Sequence, residues 1–431
     1  MERVTRSNKS EFNAEASYVL YWMTAYRRIH FNFALERALF WARELRRPLL
    51  IFEPLSCRYR WASARFHQFV IDGMREKAVA LRGAPVTYVP YVEDFPGEGE
   101  KVFAQMASNA CLIVTDDFPA FDLPRWIAKV AATSRVLVEK VDSNGLVPMR
   151  ETGRVFLTAA SFRRYVQMKT AGSKLGLPAE MPEAVPLSGI DIPRLRAAGF
   201  SAPELTIPNS VDRSVAPVAA IEGGTGAARE RLRMFVSSDG SSSGLSPYLH
   251  FGHISAHEVF REVRQRRRNS EHFLDELVTW RELGFNMCAH VADYDQYQSL
   301  PQWSRNTLAR HAHDARPVVY SLDQLENAST HDLVWNSAQI QLLTEGRIEN
   351  RLRMLWGKKI LEWSRSPQEA LEAMIHLNNK YALDGRDPNS YTGIFWILGR
   401  YDRPWGPERP IFGLVRYMSS ENTARKLRAT R

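Results

Sequence analysis

The first 150 residues alternate between two hydrophobic periods, and this alternation restricts the fold more than any other feature. Short apolar runs rich in β-branched residues occupy residues 17–23 (SYVLYWM), 48–54 (PLLIFEP), 84–92 (APVTYVPYV), 110–116 (ACLIVTD) and 134–142 (SRVLVEKVD). Continuous runs of this kind read as strands covered on both faces. Between them, residues 31–46 (FNFALERALFWARELR) and 62–83 (ending at Gly83) place apolar residues near i, i+3, i+4 and i+7, the pattern of an amphipathic helix. Strand and helix in alternation predict a Rossmann-like α/β domain over residues 1–160, with a parallel sheet carrying helices on both faces. No G-x-G-x-x-G follows the first strand, so this domain gives no sign of a dinucleotide site.

The pattern weakens after residue 160. Pro and Ala rise in LPAEMPEAVPLSG and PNSVDRSVAPVAAIEGGTG, and residues 161–240 read as a connector between domains. From about residue 245 strand signals vanish and helical periodicity takes over, so residues 241–431 are predicted to form an all-helical second domain.

Composition removes several classes of protein. A chain of 431 residues with 45% hydrophobic and 11% aromatic content folds rather than staying disordered. Cys57, Cys111 and Cys288 lie far apart and match no metal spacing, so they read as reduced thiols. The start MERVTRSNKSEFNAE is polar and no apolar run reaches the roughly 18 residues of a membrane span. A cytoplasmic monomer with no membrane partner is expected, associated with the nucleoid if bacterial. The net charge of +9 suggests an acidic partner, nucleic acid first among them.

Several stretches could carry chemistry. Residues 241–260 (SSSGLSPYLHFGHISAHEVF) form a Ser/Gly-rich loop entering a helix, which suits a phosphate but also an ordinary polar turn. LNNKYALDGRDPNSYTGIFW (377–396) crowds Asn378, Asp384, Arg386, Asp387 and Asn389 between apolar segments, either as a solvated loop or as a polar ring around a ligand. Glu276 and Trp280 stand at i, i+4 and could hydrogen-bond and stack on a base. Arg403 and Trp405 sit on the Pro-rich loop YDRPWGPERP and could wedge into an opened duplex. RQRRRNS (264–270) is a basic run, either a solvated helix end or a phosphate patch. His250, His253 and His257 share a segment, yet no Cys or carboxylate accompanies them at a known spacing, so no metal site is expected.

RLRMLWGKKILEW (351–363) sets two Trp seven residues apart, about 10.5 Å along a helix. Packing alone would explain such a stripe.

Taken together, LSPYLHFGHIS, THDLVWNSAQ, RMLWGKKILEW, LNNKYALDGRDPN and IFGLVRYM resemble, in this order, the class II cyclobutane pyrimidine dimer photolyases of the photolyase/cryptochrome family. The resemblance spans nearly the whole chain and is weak over about residues 150–230. It implies a flavoenzyme with FAD inside the helical domain, acting on damaged DNA by light-driven electron transfer to a flipped-out dimer. Leu245 and Ser246 match the family's diphosphate loop, and Arg281, Arg353, Asp384 and Asp387 its other cofactor residues, with Arg353 and Asp384 a salt-bridged pair. Asn378 matches the asparagine facing flavin N5. Glu276 matches the acid that bonds the dimer bases, and Met354 a methionine lining the same pocket. Trp280 and Trp396 match its aromatic walls. Arg403 and Trp405 match the loop that fills the hole in the duplex. Trp356, Trp335 and Trp363 match a chain that carries electrons from solvent to the flavin.

Two departures bear on that reading. Glu349 stands where family members usually carry His, and a buried carboxylate there would need a partner such as Arg347, Arg351 or Arg353. VDSNGLVPM replaces the family's more usual Asp-x-His-Asn form, which leaves an antenna chromophore (deazaflavin or folate) unsupported. The alternative function is that of a cryptochrome-type photoreceptor or another flavoprotein without repair activity. A basic DNA-binding module without flavin would be colourless.

Overall fold

The structure, a computed structural model, describes residues 3–170, 176–182, 204–238, 240 and 242–428. Part of the expected connector, residues 183–203, lies outside the described residues, as do Asp239 and Ser241 of the Ser-rich loop. The chain divides into two compact units, one of residues 1–153 and 169–278, the other of residues 154–168 and 279–431.

The first unit is built on a six-stranded sheet in the order β1-β6-β5-β2-β3-β4. The strands are β1 (Val4–Arg6), β2 (Tyr18–Trp22), β3 (Leu49–Leu55), β4 (Thr87–Val92), β5 (Ala110–Asp116) and β6 (Val138–Val141). Strands β2 to β6 pair in parallel, and each coincides with one of the five apolar runs, β3 running one residue past its run to Leu55. The sheet is not wholly parallel, because β1 adds an antiparallel edge through Val4 opposite Val141. Its three residues lie in the polar start, where no periodicity could mark a strand this short.

Helices α1 (Phe33–Leu45), α2 (Ala64–Ala80), α3 (Glu98–Ser108) and α4 (Leu123–Thr133) connect the strands. Asn32 begins α1 by accepting from the Ala34 and Leu35 amides, and Arg46 ends it in the left-handed region at φ 50°. Tyr18, Leu20, Trp22, Leu50, Phe52, Ile113 and Val138 form one core, packed by Phe103 and Trp126 from the crossover helices.

The strand order reverses between β5 and β2, where an open α/β sheet offers its crevice to ligands. Here Asp116 at the end of β5 occupies that position. Its buried carboxylate accepts from the amides of Thr24, Ala25 and Tyr26 at 2.8, 2.7 and 2.9 Å and from the Tyr21 hydroxyl at 2.7 Å.

In the second unit the helix Pro388–Ile397 is the centrepiece. The helices Arg281–His290 and Asn350–Trp363 approach it closely because each meets it at a glycine. A Cβ on Gly284 would stand 2.7 Å from the Pro388 carbonyl oxygen, and one on Gly357 would stand 2.1 Å from Ile397 Cδ1. Any side chain at either position would push the two helices off this central one.

Candidate functional site

Helix packing in the second unit brings distant sequence positions together. Trp280 ends a π-helical turn over Glu276–Trp280, and Trp396 lies near the end of the central helix. Their rings stack with centroids 4.6 Å apart and planes 11° from parallel. Both rings are half-buried, so the pair presents one aromatic face. A π-turn inserts an extra residue and re-aims the side chains that follow it, a device common at functional sites. Glu276 opens the turn with an exposed side chain, 3.8 Å from His272 Nδ1. Partial desolvation raises its carboxyl above the ordinary range, His272 pulls it down and Asp275 adds to the rise.

A buried polar cluster surrounds Asn378. Its Nδ2 donates to Ser390 Oγ at 2.7 Å and to Asn379 Oδ1 at 3.2 Å. Both amide protons are thereby used, and among the described residues no hydrogen bond reaches its Oδ1. Asn379 is fixed in turn by the Tyr391 hydroxyl at 3.1 Å and the Arg386 amide at 2.9 Å. Arg353 lies 3.3 Å from Asp384, a largely buried ion pair. Asp387 caps the central helix by accepting from the Asn389 amide at 2.9 Å. Arg281 is buried with its guanidinium 4.4 Å from the Phe285 ring centre. Met354 is half-buried one position beyond Arg353.

The three tryptophans of the proposed electron path are all essentially fully buried, at 0%, 1% and 1% exposure for Trp335, Trp356 and Trp363. Trp335 donates through Nε1 to the Trp356 carbonyl at 2.9 Å, and Trp356 Nε1 donates to Gln339 Oε1 at 2.8 Å. Trp335 and Trp363 meet edge to face at 5.5 Å. Trp363 does not reach solvent itself. Tyr320 and the exposed His331 cover it, with ring centres 5.3 and 5.5 Å away.

Trp405 stands on an exposed loop with Arg403 and Arg416 against its ring, at 4.5 and 5.3 Å. Its indole N–H donates to Asp402 at 3.0 Å and its backbone amide to the Leu414 carbonyl at 2.8 Å.

Glu349 is not a buried charge. It is exposed and caps the helix Asn350–Trp363, accepting from the Leu352 amide at 3.1 Å, while Arg347 pairs with Glu345 and Arg353 with Asp384. In the first unit Leu245 is fully buried, its amide donating to Ser243 Oγ and its carbonyl accepting from the Leu249 amide, and Ser246 is exposed at the start of a one-turn helix. The basic run is partly structural: Arg267 donates to the carbonyls of Ser238 and Gly240 at 2.7 Å each, and Arg266 pairs with Glu262. His253 accepts the Gly224 amide at 2.9 Å and the His257 ring lies 3.1 Å from Ser255 Oγ; among the described residues no three potential metal ligands come together.

Sequence reading missed Gln339, Ser390, Tyr320, His331 and Arg416, whose roles depend on contacts between segments. Gln339, four residues after Trp335 on one helix face, was the most accessible of them.

A doubly wound sheet unit followed by a helical unit with a buried polar cluster and a stacked indole pair defines a two-part α/β-plus-α protein. No family model matches the chain. Among curated proteins it is 33% identical over 441 residues to a deoxyribodipyrimidine photo-lyase of Methanothermobacter thermautotrophicus, covering 99% of this chain and 96% of that one. It is 34% identical to one from Oryza sativa subsp. japonica, covering 95% and 85%. The chain belongs to the deoxyribodipyrimidine photolyase family. Solved structures share the fold: a class III photolyase of Agrobacterium tumefaciens (TM-score 0.71, 15% identity, 96% and 85% covered) and a Synechocystis sp. PCC6803 cryptochrome (TM-score 0.68, 14% identity, 96% and 86% covered). An archaeal photolyase of Sulfolobus tokodaii, solved with two FAD molecules, aligns with a TM-score of 0.66 at 15% identity, covering 95% and 87%.

Proposed function

We propose that the protein is a class II photolyase that repairs cyclobutane pyrimidine dimers in DNA, using light and FAD. The observation that carries this reading is the stacked Trp280–Trp396 pair, set on the unit that holds the polar cluster. A flat, half-buried aromatic face suits two fused pyrimidines taken out of a duplex. Opening costs a few kcal/mol, least at damaged sites, which is itself a source of selectivity.

The residues fit FAD. Asn378 Oδ1 takes no hydrogen bond among the described residues and is free to accept from a ligand N–H, and the Arg353–Asp384 pair of the same unit offers charge of both signs. Arg281 and Asp387 are assigned to the same cofactor, and Leu245 and Ser246 to its diphosphate, on the sequence resemblance. Bound there, FAD would supply a light-excited electron to the dimer and take it back after the two carbon–carbon bonds of the cyclobutane ring have broken, so the reaction is redox-neutral overall.

The chain itself orients and insulates. Asn378, with both amide protons spent, can only accept, and would favour a protonated nitrogen on a flavin held there, N5 by the resemblance. Glu276 is assigned to hydrogen-bond the dimer bases; its raised pKa eases proton sharing with a base carbonyl that gains charge. Met354 lines the pocket, Arg403 and Trp405 fill the gap in the duplex, and Trp356, Trp335 and Trp363 relay electrons from outside. Residues 1–160 are assigned to the Rossmann-like domain, where VDSNGLVPM leaves an antenna pigment, deazaflavin or folate, without support, residues 161–240 to the connector and residues 241–431 to catalysis. Among the described residues no helix is long and apolar enough to cross a membrane. A cytoplasmic, DNA-associated monomer is the matching state.

The cryptochrome-type reading rested on Glu349, and an outward-facing helix cap no longer supports it. The test is repair itself. Purified, reduced protein mixed with dimer-containing DNA under near-UV or blue light should restore absorbance near about 260 nm as the C5–C6 double bonds return. No light-dependent recovery removes the repair reading.

A further inference from the structure

The loop that carries Trp405 is clamped at its far end by a histidine held between two carboxylates. His311 closes the helix Gln302–Arg310. Its Nδ1 lies 2.6 Å from Asp314 Oδ2 and its Nε2 lies 3.4 Å from Glu408 Oε2, a residue of the loop itself. The same Asp314 oxygen accepts the Ile411 amide at 2.8 Å, and Arg310 pairs with the other Glu408 oxygen. Thr307 Oγ1 accepts the Leu414 amide at 2.9 Å, and the backbones of Arg409 and Gly413 bond to each other at 3.0 and 2.7 Å. Gly413 adopts φ +54°, and a Cβ there would stand 2.1 Å from Thr307 Oγ1 and 2.9 Å from His311 Cδ2. The loop therefore lies directly on His311. Trp405 hangs from this anchored segment through the hydrogen bond its backbone amide donates to the Leu414 carbonyl.

Carboxylates only accept hydrogen bonds. A neutral imidazole has one N–H and would set its other nitrogen lone pair against a carboxylate, whereas the imidazolium donates to both. We propose that charged His311 is the positioning residue that latches the Trp405 loop in place, and that grip on opened DNA weakens as this latch loses its proton. The charged groups that meet it are Asp314, Glu408, Arg310 and Arg316, whose Nη1 reaches the His311 carbonyl at 3.5 Å. The Asp314 hydrogen bond, aided by Glu408 and opposed by slight desolvation, raises His311 above its ordinary 6.5. The sign follows: the latch is complete below the unfolded value and is lost as pH rises through the raised one.

The inference rests on the repair reading, and its test separates the two. Affinity for a dimer-containing duplex is measured between about pH 6 and 9, alongside hydrogen-exchange protection of residues 405–415 in the free protein. In the wild type both should fall together, affinity several-fold, with the slope of one proton. His311→Gln should be weak and flat across the range, with flavin content unchanged. Glu408→Gln should keep the transition but move it to lower pH, which tests the latch if His311→Gln does not fold. If loop protection falls as expected but dimer DNA is never bound, the repair reading fails and the latch stands. If His311→Gln keeps the wild-type pH profile of protection, the latch is overturned.

Discussion

Trp280 and Trp396 lie face to face with 4.6 Å between ring centres, too close for a base to enter between them. A dimer must then stack on the outer face of the pair or along its edge. Base–aromatic stacking contributes about 1–3 kcal/mol per base. Trp396→Ala should therefore weaken binding of dimer-containing duplex by roughly five- to 150-fold. Undamaged DNA, held mainly through phosphates, should bind as before. Competition binding with matched damaged and undamaged duplexes reads the difference. Equal loss on both would show that the pair supports the fold rather than the substrate.

Trp356 is fully buried and donates to Gln339 Oε1, and phenylalanine keeps an aromatic ring in its place while losing that hydrogen bond and leaving a small cavity. Trp356→Phe should stop photoreduction of the oxidised flavin, followed by absorbance under illumination with an external donor. Repair by enzyme reduced chemically beforehand should remain near wild type. Unchanged photoreduction would mean that the tryptophans are core filler.

Glu276 is exposed and distinct from any phosphate contact assigned here. Glu276→Ala should lower the repair yield per absorbed photon clearly while reducing affinity only modestly, because phosphates dominate binding. Parallel loss of yield and affinity would assign Glu276 a structural part.

Five parallel strands were legible because buried strands need continuous apolar runs, and the helical second half because its period never returns to two. The polar β1 was not legible: three residues on a sheet edge carry no period. Asn378 could be singled out in a quoted segment, but its partner Ser390 could not, since the two meet only when helices fold back, and the Arg353–Asp384 pair was available only through the resemblance. Glu349 shows the reverse limit. As a residue type it suggested a buried charge, and only the start of the helix after it reveals a cap.

That cap gives a separate prediction. Glu349→Ala should destabilise the protein by about 0.5–2 kcal/mol, the usual loss at an N-cap. The flavin spectrum and the repair yield should not move. A shifted spectrum would place Glu349 beside the cofactor after all.

Lys358, in the middle of the helix Asn350–Trp363, is fully buried and donates to the Ile397 carbonyl. Burial lowers its pKa to about 7, with Asp402 acting against the shift and Arg416 with it. The unfolded chain keeps this amine charged up to about pH 10.4. Between these values the unfolded state binds the extra proton, so Lys358 makes stability rise with pH. Its full cost is present below about pH 7 and disappears toward the unfolded value; at about 1.36 kcal/mol per pKa unit the range is on the order of 5 kcal/mol. Lys358→Met keeps the bulk, removes the charge and leaves the Ile397 carbonyl without its donor, a loss of about 1 kcal/mol. The variant should exceed the wild type in urea midpoint at pH 6, and the advantage should shrink steadily and reverse toward pH 10. A difference independent of pH would show that the amine is solvated in the native protein.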